Sequence, residues 1–278
     1  MLAQKYVNRV VVCDDGSTDM TADIAEKVGA DVAKHEDNMG YGVALQTLFK
    51  KVRELDADAM VTLDGDGQHN PDEIPLLVEP VLEGKADVVI GSRFLGDPAK
   101  NDVPRHRRFG IKVITKLTDA ASNSTLSDAQ SGFRAYGRKA LQSLNLNENG
   151  MGVSVQVLME AKKHGLRVVE LPTGCNYRGL DRTSTSGPVR HGMSVVSSIV
   201  RLVVEEKPLF FLGIPGATFL SVGALFGLWM LQLWTTEHRI VTNVALASIT
   251  FTMVGLFSIF TSITLYAIGR LTQRTNKH

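Results

Sequence analysis

The stretch Val61-Thr62-Leu63-Asp64-Gly65-Asp66-Gly67-Gln68-His69 closes an apolar run with two carboxylates one glycine apart and an amide two residues on. Their oxygens are hard ligands, and Asp64, Asp66 and Gln68 form a set suited to Mg2+ or Mn2+. Such an ion commonly bridges a protein to a diphosphate, and Gly65 and Gly67 let the backbone come close. A lone Asp-x-Asp also decorates ordinary turns, so its neighbours matter. Upstream, Asp14-Asp15-Gly16-Ser17-Thr18-Asp19 again follows an apolar stretch, Val7 to Cys13. Ser17, Thr18 or Asp19 suits a helix N-cap, which leaves Asp14 and Asp15 for a ligand. Base N–H and ribose hydroxyl groups donate, and a carboxylate accepts from them. Downstream, Gly91-Ser92-Arg93-Phe94 offers a cation for phosphate, a surface salt bridge being the plain alternative. Asp128-Ala129-Gln130-Ser131-Gly132-Phe133-Arg134 sets a carboxylate, an amide and a guanidinium within one turn. Asp128 is then either a general base or a residue that orients Arg134 or a sugar hydroxyl. Cys175 to Arg178 and the glycine-containing segment Gly179 to Pro188 together supply Tyr177, Arg178, Arg182 and several hydroxyls.

These residues need a scaffold that brings them to one edge. Ala59 to Leu63 has the composition of a buried parallel strand, and Asp31–Lys34, Ala86–Ile90 and Val168–Leu171 read as further strands. Helical stretches separate them: Thr21–Val28, the run to about Leu55, one opened by Asn70-Pro71, Phe109–Ala121, Gly137–Leu144 and Ser154–His164. Alternation of this kind predicts an α/β fold whose ligands sit at the carboxyl ends of the strands. The glycine turn Asn38-Met39-Gly40-Tyr41-Gly42 lacks the third glycine of a dinucleotide fingerprint. With the acidic sheet edge, that disfavours a Rossmann oxidoreductase.

A formal net charge of +1 over 278 residues gives no bulk affinity for polyanions, so nucleic acid is not an expected partner. Cys13 and Cys175 suggest neither a disulfide framework nor a zinc site. The charge distribution says more. Leu209 to Leu233 and Ile240 to Ile268 carry no charged residue, and each exceeds the roughly 20 residues needed to span a bilayer. Arg201 and Lys207 precede the first run, while Arg270, Arg274 and Lys277 follow the second. The positive-inside bias therefore predicts an integral membrane protein with both ends and the soluble domain cytoplasmic. Met193, Val196, Val200 and Val203 share one face of a stretch expected to lie in the membrane interface. The expected organisation is a catalytic domain over 1–188, an interfacial amphipathic helix over 189–207 and a transmembrane hairpin over 208–278. This organisation is compatible with a homo-oligomer.

Taken in order, the Asp14-to-Asp19, Asp64-to-His69, Gly91-to-Phe94 and Ser131-to-Arg134 motifs, with the hairpin after them, resemble family 2 glycosyltransferases. Within these the chain is most similar to polyprenyl-phosphate (dolichyl-phosphate) mannose and glucose synthases. The resemblance implies a GT-A fold, Rossmann-like with a mixed sheet. It implies inverting transfer of a hexose from a nucleotide sugar, UDP-glucose or GDP-mannose, to a lipid phosphate in the bilayer. By family pattern Asp15, with Asp14 beside it, contacts the nucleoside, and Asp64, Asp66 and Gln68 hold the metal. Asp64 and Arg178 also serve the donor, Arg93 and Arg134 sit near the phosphates, and Asp128 belongs to the catalytic set. A lipid phosphate has its second pKa near 6, so it needs cations such as Arg134, Arg178 and Arg182 more than a base. The family's first strand, with its Pro-x-Tyr-Asn-Glu-like end, is expected to be missing, since Met1 stands where the following helix would run. Two alternatives remain: a polysaccharide synthase, which usually carries a Gln-x-x-Arg-Trp segment, and a degenerate, non-catalytic membrane homologue.

Overall fold

The computed structural model describes residues 2–96, 105–122, 125–176, 200–201, 204 and 207–275. It divides into two compact units, Met1–Ile199 and Val200–His278.

In the first unit β1 (Val11–Asp15) pairs in parallel with β2 (Asp31–His35), and α1 (Thr21–Lys27) connects them. The second sheet has the order β3-β5-β4-β6, built from β3 (Ala59–Thr62), β4 (Val88–Ser92), β5 (Arg134–Gly137) and β6 (Val168–Pro172). β4 and β6 run parallel, whereas β5 is antiparallel to both β3 and β4. Two expectations change here. β3 pairs antiparallel, with β5, and β5 itself was not expected from sequence. Its four residues are all buried, and a strand that short, opened by an arginine, carries no readable alternation. The first strand also starts later than Val7, at Val11.

The core explains why the sheet is rigid. Val88, Val89 and Ile90 are wholly buried, as a strand covered on both faces requires. Leu45, Phe49 and Val52 of α2 (Tyr41–Glu54) recur at helical spacing and pack on one face. Val153 and Val157 of α6 (Val153–Lys163) join them there. Ile74, Leu77 and Val81 of α3 (Ile74–Leu82) pack with Val89, Phe133 and Ala135. Asn70 caps the turn before α3 by accepting from the Asp72 N–H at 3.1 Å. α4 (Arg105–Ser122) and the short α5 (Arg138–Ser143) complete this unit.

The second unit holds α7 (Ile214–Glu237), preceded by a π-turn over Leu209–Gly213, and α8 (Thr242–Thr275). Leu209–Glu237 and Thr242–Leu271 are long and apolar enough to cross a membrane. They pack on each other, and Ser248, Ser258 and Ser262 donate across to the Gly223, Leu212 and Pro208 carbonyls. Such small polar residues are typical of helix contacts made in lipid. The outward side chains are large and bare, Phe260 at 70% and Leu225 at 65% exposure, so these are not core helices of a water-soluble domain. Most of the stretch 189–207, expected as an interfacial helix, lies outside the described residues.

Candidate active site

Because β5 runs opposite to β3 and β4, its amino end lies where theirs are carboxyl ends, Thr62 facing Arg134 in the register. The turn Asp128–Phe133 therefore arrives beside Asp64 and Arg93. Thr62 Oγ1 donates to the Gly132 carbonyl at 2.8 Å, pinning that turn to β3. A Cβ on Gly132 would stand 2.9 Å from both Asp64 carboxylate oxygens, so only glycine leaves room for them. Asp66 is exposed and accepts the Gln68 N–H at 3.0 Å. Gln68 is buried, its Oε1 lies 3.8 Å from the Cys175 thiol, and its carbonyl accepts the Asn176 N–H at 2.9 Å. A cleft of about 530 Å³ opens there, lined among others by Asp64, Gln68, His69, Gly174 and Asn176.

The oxygens of Asp64, Asp66 and Gln68 are of the chemical kind a divalent cation takes. Both carboxylates lie on one short loop, and nothing stands within 4 Å of where Cβ atoms on Gly65 or Gly67 would be. Two carboxylates and an amide oxygen suit a hard ion that keeps some of its waters.

Arg93 and Asp128 form one buried ion pair. Arg93 Nε and Nη2 donate to Asp128 Oδ2 at 2.6 Å and Oδ1 at 2.9 Å, a two-pronged match. The Arg93 N–H (3.3 Å, to Oδ2) and the Gln130 N–H (3.3 Å, to Oδ1) take the remaining acceptor directions. Asp128 is wholly buried. Glu170 on β6, which sequence reasoning missed, accepts the Ser127 and Asp128 N–H groups at 2.7 and 2.9 Å and so holds the turn. Asp128 thus orients Arg93, not Arg134.

Arg134 requires a larger correction. It was expected near phosphate, yet it is 2% exposed, and Nε, Nη1 and Nη2 donate to the carbonyls of Ser131, Ser154 and Ala129 at 2.8, 2.9 and 2.7 Å. With three of its five N–H groups given to buried backbone carbonyls, the guanidinium ties β5 to α6 and is not turned toward phosphate. Arg178, Arg182 and Tyr177 lie outside the described residues.

On β1, Asp14 is 3% exposed, with Oδ1 accepting the Ser17 N–H at 3.2 Å and Oδ2 buried without a hydrogen-bond partner among the described residues. Asp15 accepts from His35 Nδ1 at 2.7 Å and from the Met39 and Gly40 N–H groups at 3.0 and 2.8 Å. Burial works to raise the Asp15 pKa, but these hydrogen bonds outweigh it and hold the carboxyl below its ordinary value. Burial, followed by the charges of Asp15 and Asp14, pushes the neighbouring Cys13 thiol up to about 11, so it stays protonated. Burial also lowers His69 to about 4, with Arg93 adding to the shift and Asp66 and Asp128 opposing it. His69 is therefore a neutral ring against Phe133, centroids 5.1 Å apart, and its Nδ1 is buried without a hydrogen-bond partner among the described residues. Tyr41 is held protonated by burial and then by the charge of Asp64.

Carboxylates end β1 of the parallel pair and follow β3 of the mixed sheet, with a glycine turn against one of them; this arrangement agrees with the GT-A fold that comparison with known proteins supports. The model of the family "Glycosyl transferase family 2" matches residues 1–144, slightly more than half of the chain. The chain belongs to that family and is a glycosyltransferase. It is 32% identical to a dolichyl-phosphate hexose transferase of Haloferax volcanii, over 71% of this chain and 82% of the relative. It is 30% identical to an undecaprenyl-phosphate mannosyltransferase of Micrococcus luteus, over 65% of this chain and 76% of the relative. Among solved structures it is similar to a glucosyl-3-phosphoglycerate synthase of Mycobacterium tuberculosis in complex with Mn2+, uridine diphosphate and phosphoglyceric acid. That match has a TM-score of 0.51 at 21% identity and covers 71% of this chain and 68% of the other, which establishes a shared fold.

Proposed function

We propose that the protein is a membrane-bound, inverting transferase that moves a hexose from a nucleotide sugar to a polyprenyl phosphate on the cytoplasmic face. One observation carries the choice of acceptor. Asp128, the carboxylate placed to serve as a base, has every acceptor direction engaged by Arg93 and Gln130. A hydroxyl acceptor needs a base to take its proton. A phosphate monoester, with its second pKa near 6, arrives already ionised and needs none. Relatives that act on dolichyl and undecaprenyl phosphates support the same reading. The two apolar helices and their flanking cations would hold the domain at headgroup depth.

Asp64, Asp66 and Gln68 would hold Mg2+ or Mn2+, which when bound supplies counter-charge to the departing diphosphate. Gly132 keeps the Asp64 carboxylate in place. Asp128 and Glu170 keep Arg93 in place. The Asp14 and Asp15 loop, at the other strand end, faces the nucleoside. The reading is tested by incubating membranes with labelled UDP-glucose, GDP-mannose and UDP-N-acetylglucosamine separately. Label should enter a mild-acid-labile lipid with one donor and vanish with a chelator. Label in a polysaccharide, or in no product, would contradict it.

A further inference from the structure

The parallel register of β1 and β2 sets Asp15 beside His35. His35 Nδ1 lies 2.7 Å from Asp15 Oδ1, and Nε2 lies 2.9 Å from Thr47 Oγ1 on α2. With Nδ1–H donating to the carboxylate, Nε2 accepts from the threonine hydroxyl, and both ring nitrogens are used. The imidazole is thus a strut between β1, β2 and α2. Asp15 carries the constraint onward, because it also accepts the N–H groups of Met39 and Gly40. Gly40, which precedes α2, has φ +99°, a backbone that favours glycine, and Gly42, in the first turn of α2, donates to the Asn149 carbonyl at 2.9 Å. Gln156 Oε1 in turn accepts the N–H groups of Asn147 and Glu148, both at 3.0 Å. One hydrogen-bonded assembly therefore joins the β1 carboxylate loop, the glycine turn and the segment 147–149.

We propose that His35 is a positioning residue for the nucleotide end of the donor site. By fixing the Asp15 carboxylate it sets the direction that carboxylate offers a ligand, and it raises donor affinity without touching the donor. The inference rests on the reading that the β1 carboxylates face a nucleotide sugar. Its physical basis is preorganisation. Asp15 accepts three bonds in one rotamer and is 18% exposed, so it meets a ligand from a single fixed direction. Without the imidazole, the carboxylate would have to be ordered at the moment of binding, and affinity would fall. The chemical step, served by Asp64 and Arg93, would be left largely alone.

The test uses the full chain in detergent, with binding of UDP and of GDP each measured by calorimetry in the presence of Mg2+. For the nucleotide the wild type binds, His35→Ala should weaken affinity about tenfold, the worth of one hydrogen bond to a charged group. The donor KM should rise in step while kcat holds. His35→Asn, whose amide stands near the place of Nδ1, should restore most of the affinity. His35→Gln keeps bulk and reach toward Thr47 but withdraws the bond to Asp15, and should not restore it. The Asn and Gln pair decides the matter even if His35→Ala fails to fold. Unchanged affinity in His35→Gln, or equal losses in the Asn and Gln variants, would overturn the inference. If the wild type binds neither UDP nor GDP, the nucleotide-sugar reading fails and this inference falls with it.

Discussion

Gly132→Ala is the sharpest perturbation of the proposed metal loop, because it adds one methyl group and touches one carboxylate. The new Cβ would stand 2.9 Å from Asp64 Oδ1 and Oδ2 and 3.2 Å from Cγ, too close for either oxygen. The backbone at Gly132 cannot easily retreat. Its carbonyl accepts from Thr62 Oγ1 at 2.8 Å, and the next carbonyl, of Phe133, accepts the Gly91 N–H at 2.8 Å. Asp64 must therefore move by a few tenths of an ångström or leave its rotamer, at a cost of about 0.5–1.5 kcal/mol. A metal site tolerates only about 0.2 Å in its ligand distances. The stability loss should then be small, while metal affinity falls roughly 10–100-fold, as for other residues that support a ligand. The assay is the initial transfer rate against Mg2+ concentration, with thermal unfolding measured alongside. An unchanged Mg2+ dependence would refute the reasoning, as would a drop in activity matched by loss of the fold.

Other outcomes follow from the same contacts. Arg134→Ala should unfold the domain more than it slows the chemistry, since three buried carbonyls lose their donor, a loss on the order of 3 kcal/mol; denaturant midpoints would show it. Arg134→Lys should recover only part of that stability. Asp128→Asn should lower the transfer rate by loosening Arg93, and the residual rate should rise only about twofold between about pH 6 and 8, following the phosphate's own second ionisation, because no proton is taken by the enzyme. A steep climb with pH would instead indicate a base and a hydroxyl acceptor. Asp15 has a depressed pKa in the folded state, so its contribution is present above the unfolded value near 3.9 and is lost as pH falls through the folded one. The stability gap between wild type and Asp15→Asn should thus be widest near neutrality and close in acid, as denaturation at a series of pH values would show.

The legible parts of this chain were those written in local pattern. Val88 to Ile90 announced a buried strand by continuous apolarity, α2 announced itself by Leu45, Phe49 and Val52, and the apolar hairpin stood out by the absence of charge. The acidic loops were visible for the same reason, being polar residues placed where apolar runs stop. What could not be read depended on partners distant in sequence. β5 is four buried residues whose role comes from lying between β3 and β4. An arginine in a polar turn looks the same whether it meets phosphate or, as Arg134 does, the Ser154 carbonyl 20 residues away. His35 pairs with Asp15 only through strand register, and Glu170 reaches Ser127 across 43 residues. One signal was available: Glu170 is a lone carboxylate in the otherwise apolar run Val168 to Pro172, which invites a search for what it holds.

The central claim is that an ionised lipid phosphate accepts the sugar, and the most direct measurement offers purified protein two lipids differing only in that group. With the donor that labels membranes, Mg2+ present and detergent fixed, polyprenyl phosphate should be glycosylated and the matching polyprenol should not, at any pH between about 6 and 8. Transfer to the free alcohol at a comparable rate would contradict the account and return Asp128 to the role of base.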